Sequence, residues 1–209
     1  MKSCVLLAVA GVSSGALGQS ASLSIVASET VVDSSVTTSI TLAVYGDSDW
    51  GTHMKGAYFE LSATGGTGVV DDMALTSVAS WGEFYEEDFG HAGDGNYSGV
   101  RMGQVVFEPF ILPGDGSALG NGPVLLANFS VTIASGSSGV IDWSLARVPG
   151  TTWALEVYDE FGCPACTPPG VTKLFSAPDF GSISVNVVPS PSGLALLGFG
   201  GLVGGKRRR

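Results

Sequence analysis

The sequence is poor in charge, and positive charge is especially scarce. Charged residues make up 13% of the 209 residues, with nine basic residues against 19 acidic ones. Five of the nine basic residues lie at the chain ends, at position 2 and positions 206–209. The middle of the chain therefore sets four positive charges against 19 negative ones, a balance of −15. Such a surface repels polyanions, which excludes nucleic acid as a partner, and it also serves solubility.

The sequence also lacks the motifs of common catalytic sites. It has two histidines and no HExxH or P-loop pattern, which leaves no set of nucleophile and base. Carboxylates are plentiful, so a glycoside hydrolase that uses a pair of acids stays an alternative. The sequence predicts a protein that is not an enzyme.

Residues 1–18 have the organisation of a secretory signal. Lys2 provides a positive start, residues 4–12 form an apolar run, and small residues occupy the −3 and −1 positions of a cleavage site. The run is too short to span a bilayer. We predict an N-terminal signal helix and export of a mature chain that begins at residue 19.

The C-terminal segment, residues 188–209, combines three features. It begins with prolines that end any preceding strand or helix, in the motif Val188, Pro189, Ser190 and Pro191. Residues 193–205 carry no charge and would form a helix about 20 Å long, against a hydrocarbon core of roughly 30 Å. A basic stop follows, which stays on the cytoplasmic side, formed by Lys206, Arg207, Arg208 and Arg209. The segment predicts a hydrophobic helix that anchors the chain in a membrane.

This tail resembles the PEP-CTERM sorting tail of bacterial envelope proteins. In that family Val-Pro-Glu-Pro precedes a Leu/Gly-rich helix and an arginine cluster, and Ser190 stands where the family has Glu. The resemblance implies an exosortase-type sorting protease as a partner, in a bacterium that makes exopolysaccharide. Without cleavage the tail would stay as a permanent anchor.

Between the two ends, residues 19–187 repeatedly alternate apolar and polar positions, which is the period of a β-strand. The clearest segments are residues 36–44 and 125–133. Turns rich in glycine and proline separate the segments, and no amphipathic stretch of helical length occurs. The pattern predicts an all-β domain, an antiparallel β-sandwich of about eight or nine strands.

Two stretches of this domain resemble the cohesin-type, Ig-like sandwich of secreted bacterial proteins. The first is ASLSIVASETVVDSSVTTSITLAVYG, and the second is GNGPVLLANFSVTIASGSSGVIDWSL. The family includes scaffold modules that bind partner domains and relatives of carbohydrate-binding modules. The resemblance implies a binding module and assigns no binding residue.

Cysteine is scarce, and the one C-x-x-C pattern is formed by Cys163 and Cys166. Thr-Pro-Pro-Gly follows this pattern and prevents the helix whose N-terminus would lower a thiol pKa. Export favours oxidation, so we predict a local disulfide. A metal site, redox catalysis and free thiols are the alternatives.

An acidic loop is the candidate cation site, and its oxygen-bearing residues are Glu86, Glu87, Asp88, Asp94 and Asn96. Calcium takes several oxygen ligands from such residues and from glycine-rich backbone. The spacing differs from that of an EF-hand. Calcium is therefore a candidate cofactor, and solvated turns are the alternative.

Aromatic residues in the same region are the candidate ligand-binding side chains: Trp81, Tyr85 and Tyr97. Flat rings stack on sugar faces, so these residues predict contact with polysaccharide. Packing beneath long loops is the alternative. Trp143 and Trp153 instead fall on alternating segments and are predicted to lie in the core.

These features together predict an exported, non-catalytic protein of the cell envelope or extracellular matrix. It would be associated with exopolysaccharide and held at the membrane, transiently or permanently, by its C-terminal tail. A carbohydrate- or protein-binding module is the first alternative, and a glycoside hydrolase is the second.

Overall fold

The computed structural model describes residues 20–106, 113–161 and 170–189, which form two packed β-sheets. The described residues contain one short 3-10 helix, Ser80–Tyr85. Their strands are β1 Ala21–Ala27, β2 Val31–Asp33, β3 Thr38–Ser48, β4 His53–Thr64, β5 Val70–Val78, β6 Glu87–Asp88, β7 His91–Gly93, β8 Asn96–Gly103, β9 Val124–Ile133, β10 Gly139–Arg147, β11 Leu155–Asp159, β12 Val171–Phe175, β13 Asp179–Phe180 and β14 Ser182–Val188.

Several predictions concern segments outside the described residues. They are the signal helix of residues 1–18, the disulfide of Cys163 with Cys166, and the tail from Ser190 to Arg209. Within the described ranges, no helix is long and apolar enough to cross a bilayer.

The first sheet has five strands in the order β13-β1-β3-β9-β5, and the second has nine. The order of the second is β12-β11-β4-β10-β14-β2, with β8 on β4 and the short β6 and β7 on β8. All pairs are antiparallel except β1 with β13 and β2 with β14. The predicted all-β sandwich is confirmed. Strands of two or three residues were not predicted, because so short a segment contains no period that can be recognised.

The two sheets bury the apolar positions of the alternating segments between them. Phe59 of β4 and Phe129 of β9 are fully buried, and their rings meet edge to face with centroids 6.5 Å apart. Trp143 of β10 is also fully buried, and its indole N–H donates a 2.9 Å hydrogen bond to the carbonyl oxygen of Gly95. Side chains from both inner faces thus form one core, as in other sandwiches.

One edge of β4 is shared by two consecutive strands. β10 pairs with residues 59–64 of β4, and β11 pairs with residues 54–57 and with His53. Residues 148–153 lie between the two strands and leave the ladder, which resumes at Ala154 with backbone hydrogen bonds to Tyr58 and Phe175. β8 occupies the other edge of β4, and β12 extends the sheet beyond β11. The interruption brings Trp153 onto the outer face of the nine-stranded sheet.

Candidate functional site

A groove of about 440 Å³ lies on the outer face of the nine-stranded sheet. We call it the outer groove. Residues of the 3-10 helix, β4, β8, β11 and the loop before β11 contribute its principal lining, which is Lys55, Tyr85, Arg101, Gly103, Trp153 and Glu156. Leu174 of β12 closes one side.

The backbone of Gly103 in β8 forms part of the groove lining. Its direct partner in the ladder is Gly56 of β4, and both glycines are buried. A Cβ atom added to Gly103 would lie 3.1 Å from the carbonyl oxygen of Lys55 and 3.8 Å from Cδ2 of Tyr85, and one added to Gly56 would lie 3.0 Å from the carbonyl oxygen of Met102 and 3.4 Å from Oε2 of Glu156. The backbone is therefore closely packed at this level, with the Tyr85 and Glu156 side chains beside it.

Aromatic rings line the groove and continue beside it. The Tyr85 side chain is 46% exposed, and Trp153 is partly buried. The Tyr58 ring lies 6.1 Å from that of Trp153 and stacks 5.9 Å from that of Phe89, measured between centroids. The outer face thus presents ring surface next to the Gly103 backbone, the combination of flat apolar walls and polar groups that is common in ligand grooves.

Two of the four basic residues between the chain ends lie in this groove, each with an acidic partner. The Lys55 Nζ atom is 2.8 Å from Oε1 of Glu156 and donates a 3.1 Å hydrogen bond to Oγ1 of Thr172. The guanidinium of Arg101 is 3.3 Å from Oε2 of Glu87 and lies 5.9 Å from the Tyr85 ring centroid. The local charge of the groove is therefore close to zero, within a strongly acidic protein.

Residues 80–93 form a segment, here called the strap, that holds Tyr85 beside Gly103. Its β6 and β7 pair with β8. The Tyr97 hydroxyl of β8 donates a 2.5 Å hydrogen bond to Oδ1 of Asp88 in the strap. Burial of the phenol raises the pKa of Tyr97 well above its usual value, and the bond to Asp88 adds to this shift. The neutral, hydrogen-bonded phenol is the form that the fold stabilises.

The structure separates the three aromatic residues that the sequence singled out. Trp81 and Tyr97 are interior residues with exposures of 6% and 2%, and only Tyr85 lines the groove. Trp81 lies near the start of the strap, and Tyr97 holds the strap through its hydrogen bond to Asp88. Of the three, Tyr85 alone has a ring placed to contact a ligand in the groove.

The predicted calcium ligands have other partners or point to solvent. Glu87 pairs with Arg101 and Asp88 with Tyr97, while Oδ1 of Asn96 accepts a 2.8 Å hydrogen bond from the Ala63 amide. Glu86 and Asp94 are exposed. In the part of the chain that the structure describes, no group of three or more His, Cys, Asp or Glu residues is placed to hold a metal ion. Calcium binding stays a prediction.

Sequence reasoning missed most of the groove. Lys55, Gly56, Gly103 and Glu156 attracted no prediction, although a glycine inside a strand pattern is a known sign of a close backbone approach or an open surface. Trp153, which alternation placed in the core, is only partly buried, because the chain leaves the ladder at residues 148–153.

β14 ends at the pole of the domain opposite the groove. Val187 of β14 pairs with Gly139, at the start of β10, and Asp142 of β10 pairs with Thr64, the last residue of β4. Thr64 and Gly56 are eight residues apart in β4, which is about 26 Å in an extended strand. The last described residue, Pro189, therefore lies at the pole far from the groove.

No protein-family model matches the chain, and no curated protein matches its sequence. Among solved structures, the fold is similar to cohesin modules. For a type I cohesin from Pseudobacteroides cellulosolvens the TM-score is 0.43 at 10% identity, over 82% of this chain and 93% of that one. For a type II cohesin from Acetivibrio cellulolyticus the TM-score is 0.46 at 9% identity, over 80% and 95%. The similarity concerns the sandwich architecture alone, and any function rests on this chain's own residues.

Proposed function

We propose that this chain is an exported, non-catalytic binding module that attaches to polysaccharide of the cell envelope or extracellular matrix through the outer groove. The observation that carries the proposal is the groove itself, in which the rings of Tyr85 and Trp153 and the backbone of Gly103 form part of one lining. Ring walls stack on the apolar faces of sugars, and the absence of a side chain at Gly103 keeps the groove clear between them.

The polar groups of the groove suit hydroxyl-rich ligands. The Glu156 carboxylate offers an acceptor in the groove, and Lys55 and Arg101 offer donors. Because the donors and acceptors are fixed in two ion pairs, they are held in place before a ligand arrives, which lowers the entropic cost of binding. Ligand sites commonly combine aromatic walls with a small number of precisely positioned polar groups.

The lining of the groove also supports binding without catalysis. A glycoside hydrolase requires one carboxyl group that donates a proton and a second that acts as nucleophile or base. Among the described lining residues Glu156 alone carries a carboxyl group, and it contacts Lys55, so the described lining offers no such pair.

Export and display are supported by the two ends of the sequence. Residues 1–18 resemble a secretory signal, and residues 188–209 resemble a sorting or anchoring tail. A chain held through its C-terminal end would present the groove at the opposite pole, facing away from the point of attachment. This orientation is what a surface-displayed binding module requires.

Adding a side chain at Gly103 tests the proposal. Gly103→Ala adds a methyl group 3.1 Å from the carbonyl oxygen of Lys55 and beneath Tyr85, without changing any charge. We expect the purified full chain to bind members of a polysaccharide array and this variant to bind about tenfold more weakly. The control is Ala74→Val, which adds volume to an exposed position of β5 in the other sheet. Unchanged binding by a folded Gly103→Ala variant would contradict the proposal.

A protein partner is the second candidate, favoured by exposed apolar side chains around the groove. Phe84, Phe89 and Leu174 have exposures of 67%, 48% and 51%, and clusters of this kind mark protein interfaces. Phe89→Ser separates the two candidates. Phe89 does not line the groove, so binding of polysaccharide should be unaffected, whereas a protein that covers the rim should lose affinity.

A further inference from the structure

We infer that the outer groove selects neutral polysaccharides over acidic ones and that Glu156 is the residue that determines this selection. The inference rests on the proposed binding of polysaccharide in the same groove. Beyond that proposal, it specifies that the ligand is uncharged and names the side chain that discriminates against charged ligands.

The position of Glu156 is the first observation. This residue of β11 is the ladder partner of Gly56, and its Oε2 atom would lie 3.4 Å from a Cβ atom on that glycine. Its other oxygen, Oε1, contacts Lys55. Glu156 itself lines the groove, so one carboxylate oxygen lies where a bound sugar ring would contact it. Both side chains of the pair are only 21% exposed, so charge interactions there are stronger than in bulk water.

The second observation is that the described cations of the groove already have acidic partners. Lys55 is held between Glu156 and Thr172, and Arg101 contacts Glu87. A ligand carboxylate would have to displace one of these acids to gain a cation. A sugar hydroxyl, in contrast, donates to Oε2 of Glu156 with no rearrangement.

The charge of the whole domain acts in the same direction. The segment between the two ends carries −15, so an acidic polymer is repelled before it arrives. Salt separates the two effects, because long-range repulsion is screened beyond about 8 Å at physiological ionic strength, whereas a contact inside the groove is screened far less. Selection that persists in physiological salt is therefore assigned to the groove itself.

The experiment compares each acidic polysaccharide with its own neutral derivative. The purified full chain is tested at physiological ionic strength on an array of neutral polysaccharides, of polyuronates, and of the same polyuronates after carboxyl reduction. Reduction turns each uronic acid into a neutral sugar with unchanged linkage. We expect the reduced form to bind at least about tenfold more tightly than the acidic form, as for a like-charge contact at an interface.

Two variants of the ion pair should shift this ratio in opposite directions. Glu156→Gln keeps the size and one acceptor oxygen but removes the negative charge, so the ratio should fall below about threefold. Lys55→Gln leaves Glu156 without its cation, so the ratio should rise above the wild-type value. The matched control is Glu29→Gln, which makes the same charge change at an exposed residue between β1 and β2 and should leave the ratio unchanged.

Each outcome decides a distinct point. Equal binding of acidic and reduced forms by the wild-type chain overturns the inference and leaves the proposed function standing. Thermal melting first establishes that both variants are folded. If neither Glu156→Gln nor Lys55→Gln then changes the ratio of reduced-form to acidic-form affinity, Glu156 is not the determinant. If only one variant folds, the direction in which it shifts the affinity ratio decides whether Glu156 is the determinant. Binding to no polysaccharide at all overturns the proposed function and this inference with it.

Discussion

The hydroxyl of Tyr97 donates a 2.5 Å hydrogen bond to Oδ1 of Asp88. The same oxygen of Tyr97 accepts a 3.3 Å hydrogen bond from the amide of Leu75, in β5 of the five-stranded sheet. One buried phenol therefore connects the strap, the nine-stranded sheet and the five-stranded sheet. Because the strap also carries Tyr85, this connection sets the position of one wall of the outer groove.

Removing that hydroxyl should loosen the strap and cost stability. For Tyr97→Phe we expect a loss of about 2 kcal/mol in the free energy of unfolding, since a hydrogen bond to a charged acceptor is broken and the Leu75 amide loses its partner. Urea denaturation measures the loss. Tyr85→Phe is the control, because Tyr85 is 46% exposed, and it should change stability by less than about 0.5 kcal/mol. Equal effects of the two variants would show that the bond does not fasten the strap.

The raised pKa of Tyr97 predicts a loss of stability in alkaline solution. In the unfolded chain the phenol ionises near pH 10, whereas the folded domain keeps it neutral to a higher pH. Above pH 10 the unfolded state therefore holds fewer protons than the folded state, so the free energy of unfolding falls as pH rises. The contribution of one such group is up to about 1.4 kcal/mol per pH unit. Below pH 10 this contribution is fully present.

Comparison with Tyr97→Phe isolates this contribution. Urea denaturation of both proteins from pH 9 to pH 11 should show a steeper decline in the wild-type chain, because the variant lacks the titrating phenol and all other groups cancel. Parallel declines would contradict the assignment of the alkaline transition to Tyr97.

Alanine substitutions at two glycines distinguish the cost of backbone strain from the cost of steric overlap. Gly65 and Gly68 both have positive φ, +78° and +70°. A Cβ atom on Gly65 would overlap the carbonyl oxygen of Val140, whereas one on Gly68 would meet nothing within 4 Å. We expect Gly68→Ala to cost about 1 kcal/mol and Gly65→Ala about 3 kcal/mol or more. Thermal unfolding of the two variants measures both values. Similar melting temperatures would show that the turn at Gly65 rearranges to accommodate the added methyl group.

Truncating the central tryptophan should strongly destabilise the sandwich. Trp143→Phe leaves a cavity between the sheets and removes the hydrogen bond to the carbonyl oxygen of Gly95. We expect a loss of about 3 kcal/mol in the free energy of unfolding. Phe84→Leu, at a residue that is 67% exposed, is the control and should lie within about 0.5 kcal/mol of the wild type. A loss below that control level would mean that the core repacks around the smaller ring.

The aromatic walls should account for a large part of ligand affinity. We expect Tyr85→Ala and Trp153→Ala each to weaken binding on the polysaccharide array by about tenfold, because each removes a stacking surface worth roughly 1 kcal/mol or more. Tyr45→Ala is the matched control, since Tyr45 is a partly exposed tyrosine of β3 in the other sheet. A loss of affinity in the control as large as in the two wall variants would place the ligand elsewhere.

The sequence predicted the architecture well because the sandwich is built from local periodicity. In β3 the inward residues Ile40, Leu42 and Val44 are buried, and in β9 Phe129 and Val131 are buried, as alternation requires. Sequence reasoning also recognised Tyr85 as a candidate contact residue. Trp81 and Tyr97 are equally aromatic and lie nearby in sequence, but burial is a property of the packed domain and does not follow from residue type.

By itself the sequence determined an all-β chain, its acidic balance, and the two terminal segments that predict export and anchoring. All of these depend on local composition and period, which need no distant contact. Only the tertiary structure brought Gly56 beside Gly103 and Glu156 beside Gly56, because these residues belong to three strands that other strands separate in the sequence. Their register is decided by the packing of two sheets. The groove is therefore a product of strand pairing, and the charge that would select its ligand comes from a residue with no signature in the sequence.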